Sequence, residues 1–240
     1  MTRRILIVGS GFMGTSIALA LNSDNLSCVE KNANYYDSLK KIDIYKNLYT
    51  SIDEVNEDFD LVIICSRQKD TFDYIFNFSN KFPSAAITDI SSSKEFLVNQ
   101  DLPVNFISSH PICGSHKIGP ANGERKLFQN KEVILIRGAQ QEIMHSIKEF
   151  WESLGARTSE MSLDEHNRVY AYLSHFPHYI SFIYREILEE SNINFGKYSG
   201  DSLKEILRLS ESDKDLWDEI FADNRANLDA LKEKIKNKLS

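Results

Sequence analysis

The chain has 240 residues, with 28 Lys and Arg against 35 Asp and Glu and a net charge of -7. That balance argues against nucleic acid or an anionic membrane as the main partner, and plain solubility accounts for it. No run of about 18 apolar residues exists, so no membrane helix is expected. The basic start, Arg3-Arg4, is followed by too few apolar residues for a signal-peptide core. The length suits one large domain or two modest ones. Cys28, Cys65 and Cys113 are odd in number and widely spaced. They read as reduced thiols of a cytoplasmic protein, not as disulfides or a metal site.

In chain order, Ile5-Leu6-Ile7-Val8 is a continuous apolar run, as in a buried parallel strand. Gly9-Ser10-Gly11-Phe12-Met13-Gly14 follows at once, and residues 15–21 read as a helix with an apolar face. A second strand, 26–29, ends in Glu30. This strand, glycine turn, helix, strand and acid fit a dinucleotide site. Gly9 permits a tight turn, Gly11 lets backbone approach a pyrophosphate, and Gly14 allows close helix packing. The helix start supplies exposed N–H groups for phosphate. Glu30 is placed to hold a ribose 2′-hydroxyl and to repel the extra phosphate of NADP, whereas the adjacent Lys31 softens that preference.

The α/β rhythm continues with strands at 60–65, 85–88, 104–107 and 132–136 and helices at 71–82 and 141–154. A doubly wound sheet binds ligands at its strand C-termini. Ser66, Ser92 and His110 fall on that edge. One serine of Ser91-Ser92-Ser93 can cap a following helix while another faces the ligand. Ser109-His110-Pro111-Ile112-Cys113-Gly114-Ser115 is expected to open a loop after the 104–107 strand. His110 is there either an acid–base group or a structural hydrogen-bonding residue.

From residue 163 the pattern turns helical. Residues 164–190 read as one long helix, kinked by Pro177. Helical spacing places Asn167, Ala171, Ser174, His178 and Ser181 on one face, which either lines a substrate cavity or packs on another helix. His166 falls on a different face from His175. Arg208 either pairs with Glu205 or Glu211 or grips a ligand carboxylate. Trp217, Phe221, Leu228, Leu231 and Ile235 make a seam on a last helix, broken at Asn224. It serves a homodimer or the chain's own core. Lys232, Lys234, Lys236 and Lys238 complement a helix dipole. The expected architecture is α/β, a Rossmann-type doubly wound parallel sheet over 1–155 followed by a smaller all-helical domain over 156–240.

Together these motifs resemble the prephenate and arogenate dehydrogenase family of tyrosine biosynthesis, from Gly9 to about Asn227. Asp89 to Lys94 looks like its Asp-x-Gly-Ser-x-Lys motif, with Ser91 in place of the glycine. The stretch from Ser109 to Gly119 resembles its His-Pro-Met-x-Gly segment. Asp164-Glu165-His166 through Ser174-His175-Phe176-Pro177-His178 resembles its helical histidine motif, and the stretch from Arg208 to Trp217 its Thr-Arg-Ile-Ala-x-Ser-Asp-Pro-x-x-Trp stretch. His116 stands where the family often has another residue.

The resemblance implies NAD as cofactor, held by Gly9, Ser10, Gly11, Phe12, Met13, Gly14, Glu30 and Ser66. It implies oxidative decarboxylation of prephenate, or of arogenate. His110 would be the base or the hydrogen-bond acceptor at the ring hydroxyl, and Ser92 would help orient it. Arg208 would bind a substrate carboxylate. His178, His175, His166 and Ser174 would line the substrate pocket. A homodimer through the C-terminal helices is expected, with neither a chorismate mutase nor a regulatory ACT domain. Another β-hydroxyacid-type dehydrogenase and a non-catalytic NAD sensor are the alternatives.

Overall fold

A computed structural model describes residues 3–114, 117–138 and 140–239. Ser115 and His116 therefore lie outside the described residues. The chain divides into two units. One runs through Ser92 and resumes over Leu97–Leu163, and the other comprises Ser93–Phe96 and the described residues from Asp164 onward.

The first unit is built on a parallel sheet of β1 (Ile5–Val8), β2 (Leu26–Val29), β3 (Asn47–Tyr49), β4 (Leu61–Ile64) and β5 (Ala86–Asp89), in the order β3-β2-β1-β4-β5. β1, β2, β4 and β5 are buried along their whole length. Burial on both faces explains the unbroken apolar runs of β1 and β4, whereas β2 and β5 also bury Ser27, Thr88 and Asp89. The accompanying helices are α1 (Phe12–Leu21), α2 (Tyr36–Ile42), α3 (Gln68–Lys81) and α4 (Gln141–Ser153). The strand order reverses between β1 and β4. The turn after β1 therefore lies beside the turn after β4, with the Cys65 amide donating to Val8 O at 2.7 Å.

A second sheet holds β6 (Ser109–Pro111), β7 (Glu132–Ile136) and β8 (Arg157–Met161). β6 is antiparallel to β7, and β7 is parallel to β8. The first unit is thus a doubly wound parallel sheet extended by a small mixed one.

Residues 104–107 do not form a strand. The Phe106 amide closes a turn onto Pro103 O at 3.1 Å, and one isolated bridge joins Phe106 to Ile87. Pro103 starts this turn, and Asn105 is anchored by side-chain donation to Phe82 O and Ala85 O. His110 consequently sits within β6, opposite Ile134, and not in a loop.

The second unit is helical: α5 (Leu163–Tyr170), a π turn (Ala171–His175), α6 (Phe176–Glu190), α7 (Phe195–Tyr198), α8 (Asp201–Arg208), α9 (Lys214–Asp223) and α10 (Arg225–Leu239). The anticipated kink at Pro177 is resolved by the π turn, in which the Phe176 amide donates five residues back to Ala171 O. Proline cannot supply the ordinary bond four residues back, and the wider turn accommodates its ring. The expected single last helix is two helices. Asn224 leaves helical geometry at φ -95° and ψ 31°, and is 1% exposed at the junction.

Candidate active site

The glycine turn is fixed by space. Gly9 has φ +89°, and a Cβ there would lie 2.8 Å from Cys65 O. A Cβ on Gly14 would lie 2.1 Å from Gly9 O. Gly11 differs: the nearest atom to its Cβ position is a Tyr35 ring carbon at 4.0 Å, so the backbone there borders open space. Gly11 is also the N-cap of α1, with no side-chain cap and no acidic residue in the first turn. An uncapped helix start with positive partial charge and clear backbone is suited to an anion.

Ser10 and Phe12 are buried, Met13 is half-buried, and the Ser10 hydroxyl turns inward to Tyr45 Oη at 2.6 Å and Thr15 Oγ1 at 2.9 Å. Glu30, 5% exposed, locks the turn. Its Oε2 accepts from the Ser10 amide and its Oε1 from the Asn32 amide, each at 2.7 Å. Ser66 is half-buried after β4, with Oγ 3.1 Å from Thr71 Oγ1. These residues can hold a dinucleotide, with phosphate at the α1 start and ribose at Glu30.

At the end of β5, Asp89 is fully buried. It accepts from the Ser91 amide at 3.0 Å, from the Ser91 hydroxyl, and from Ser108 Oγ at 2.5 Å. Ser91, replacing the motif's glycine, is thereby folded onto Asp89. Ser92 is half-buried at the bend that follows. Ser109 faces the core, bonded to Thr88 Oγ1 at 2.6 Å and Trp151 Nε1 at 3.0 Å. Strand alternation turns His110 the other way, to the side of Ser108 and Asp89. His110 is 6% exposed. Cys113 packs in the apolar core, and burial pushes its thiol up to about 12.

In the helical unit, Asn224 is a hub. Its Nδ2 donates to Asn167 O at 2.8 Å and approaches His175 Nδ1 at 3.0 Å, while its Oδ1 accepts from Asn227 Nδ2 at 2.8 Å. An amide nitrogen only donates, so His175 accepts at Nδ1 and carries its proton on Nε2. Asn167 holds the Ser93–Phe96 segment, accepting from the Lys94 amide at 3.2 Å and donating to Glu95 Oε2 at 2.8 Å. Asp223 accepts from Ser93 Oγ at 2.5 Å and from the Glu95 amide at 3.2 Å. Burial raises the Asp223 carboxyl, and these bonds and the Lys94 charge oppose the shift. His166 and His175 are both 0% exposed. His166 lies against the Tyr170 ring, centroids 4.6 Å apart.

His178 stacks on Trp217 at 3.6 Å and 15°. Its Nδ1 donates to the carbonyl of half-buried Ser174 at 2.9 Å, leaving Nε2 as the acceptor of the neutral ring. Burial, and to a smaller degree the Arg208 charge, lower the His178 pKa. Arg208 is exposed at the end of α8 and makes no ion pair among the described residues, with Glu205 and Glu211 included. The structure therefore brings His178, Ser174, Trp217 and the Arg208 charge together. It buries His166 and His175 behind hydrogen bonds and ring contacts.

The network that four residues of this unit form is not visible in the sequence. Lys94 is fully buried near Asp223, and Asn167, Asp223 and Asn224 hold the segment that carries it. The usable signal was the polar break at Asn224 within an apolar seam. The small polar face at 167–181 is mostly a packing face, since Ser181 Oγ donates to Ile206 O at 2.6 Å and accepts from the Ser210 amide.

Two family models match the chain. The prephenate dehydrogenase nucleotide-binding domain matches residues 17–160, and the prephenate dehydrogenase dimerization domain matches 162–240. A cyclohexadienyl dehydrogenase of Zymomonas mobilis is 27% identical over 92% of this chain and 81% of its own length. A prephenate dehydrogenase of Bacillus subtilis is 26% identical over 92% of this chain, which spans 64% of that relative. The crystal structure of prephenate dehydrogenase from A. aeolicus with hydroxyphenyl propionate and NAD+ has a TM-score of 0.91. It is 26% identical, covering 100% of this chain and 88% of that one. With both units matched in order, the chain belongs to the prephenate dehydrogenase family.

Proposed function

We propose that the protein is an NAD-dependent prephenate dehydrogenase that converts prephenate to 4-hydroxyphenylpyruvate by oxidative decarboxylation in tyrosine biosynthesis. The observation that carries the substrate reading is the grouping on the helical unit. A neutral imidazole stacked on Trp217 stands near an exposed guanidinium with no ion pair among the described residues. Such a surface suits a ring bearing carboxylates. The phenolic acid bound by the A. aeolicus enzyme has the same character.

When bound, NAD supplies a ring that accepts a hydride. The residues of the chain do the rest. The uncapped α1 start binds pyrophosphate, and Glu30 holds the adenine ribose. His110 takes the proton of the substrate's ring hydroxyl, and Ser92 orients that group. Arg208 grips a carboxylate, and His178 presents Nε2 to the substrate. His175 and His166, with Ser174, fix the shape of the pocket wall. Loss of CO2 then makes the ring aromatic.

A homodimer through the helical unit extends the reading. α6 exposes Ile180 at 42% and Ile187 at 54%, and α10 exposes Leu239 at 83%. Phe176, Tyr179, Ile183 and Ile235 line a largely apolar groove with Ile180 and Leu239, together with Lys232 and Lys236. The three unpaired thiols favour a reducing, cytoplasmic setting.

The test is formation of NADH from NAD+ with prephenate or arogenate, which carries an amine in place of the keto group. Faster NADH formation with prephenate, with CO2 released, is expected. Preference for arogenate reassigns the substrate, and no NADH with either ends the dehydrogenase reading.

A further inference from the structure

A second acid reaches the residue beside Glu30. Lys31, the next residue, projects from the end of β2 to Asp70 in the first turn of α3, with Nζ 2.6 Å from Oδ2. The Lys31 side chain is 58% exposed and that of Asp70 is 25% exposed. Tyr74, one turn further along α3, and Glu30 also act on the Lys31 charge. The ammonium is thus drawn among Asp70, Glu30 and a phenol.

A lysine immediately after the ribose-binding acid stands where a cation can meet the 2′-phosphate of NADP. Its charge is already engaged here. An exposed pair of this kind adds little to folding stability, so its consequence lies in where it holds the charge. Glu30 itself is fixed by two backbone amides and cannot swing aside cheaply.

We propose that Asp70 is a cofactor-selectivity residue: by holding the Lys31 ammonium it denies a 2′-phosphate its counter-charge and reinforces Glu30 in favouring NAD over NADP. This rests on the dinucleotide reading of the glycine turn and goes beyond it, because Asp70 lies outside that motif.

The test is equilibrium binding by calorimetry, with NAD and 5′-AMP as one pair of probes. NADP and adenosine 2′,5′-bisphosphate are the other pair. In Asp70→Asn, affinity for the 2′-phosphorylated probes should rise by about fivefold, the scale of one exposed ion pair. Affinity for NAD and 5′-AMP, and the melting temperature, should not change. Lys31→Ala alone should leave the 2′-phosphate probes as weak as in the parent. The double variant should lose the gain. An unchanged ratio of NADP to NAD affinity in Asp70→Asn overturns the proposal. So does an equal gain in the double variant, which would mean that removal of the Asp70 charge acts without Lys31. If the parent protein binds neither NAD nor 5′-AMP, the dinucleotide reading fails as well.

Discussion

The two units hold their functional groups by different means. In the sheet unit the candidate site is made of backbone: a turn with no room for a Cβ at Gly9 or Gly14, an uncapped helix start, and a carboxylate bonded to two amides. In the helical unit it is made of side chains that hold one another, Asn224 with His175, Asn167 with Glu95, Trp217 with His178. Steric exclusion leaves glycine at fixed spacing. A side-chain network leaves ordinary polar residues at spacings set by tertiary packing, and it tolerates other solutions.

Substitutions can break this contrast at either end. Gly14→Val should have the largest effect. Even the first carbon would lie 2.1 Å from Gly9 O, so the turn must open. A loss of about 3 kcal/mol or more of stability is expected, with NAD binding undetectable by calorimetry. Binding retained would mean that the turn is not the cofactor site. Arg208→Ala should act on substrate alone. The apparent prephenate constant should rise by about 2 kcal/mol, near thirtyfold, with NAD binding unchanged.

Asn224→Ala removes a buried hub and leaves His175 Nδ1 and Asn167 O without their donor. Stability should fall by about 1–3 kcal/mol, as read by denaturant unfolding. An unaltered midpoint would show that the network is incidental.

The smallest effect is electrostatic. Burial first, and then Arg208, set the His178 pKa below its ordinary value of 6.5. The unfolded chain therefore binds this proton more readily. The stability contributed by neutral His178 is present above pH 6.5 and is lost as pH falls through the lower folded value. NMR titration should place His178 below 6.5, and Arg208→Ala should move the midpoint up slightly. No movement would place the guanidinium away from the ring.

The same contrast explains what the sequence revealed. Gly9, Gly14 and Glu30 were legible because local sterics and spacing dictate them. The strand that carries His110 was misplaced by a few residues, because Pro103 begins a turn inside an apolar run and turns that run aside. The long helix was legible apart from its π turn, which depends on how Pro177 is accommodated. The roles of Lys94, Asn167 and Asp223 were not legible. Their partners lie more than 70 positions apart in sequence, as with Lys94 and Asn167, and no local period reports such pairs. Asn224 did leave a trace, a polar residue interrupting an apolar seam.

The glycine turn after β1 is proposed to hold the cofactor, and His110 on β6 of the second sheet to accept the substrate's proton. The most direct test is His110→Asn, compared with the parent protein for NAD affinity and for NADH formation from prephenate. NAD affinity should be unchanged and turnover lower by roughly two to four orders of magnitude, the usual worth of a positioned acid or base. Parent-like turnover in the variant would contradict that role of His110.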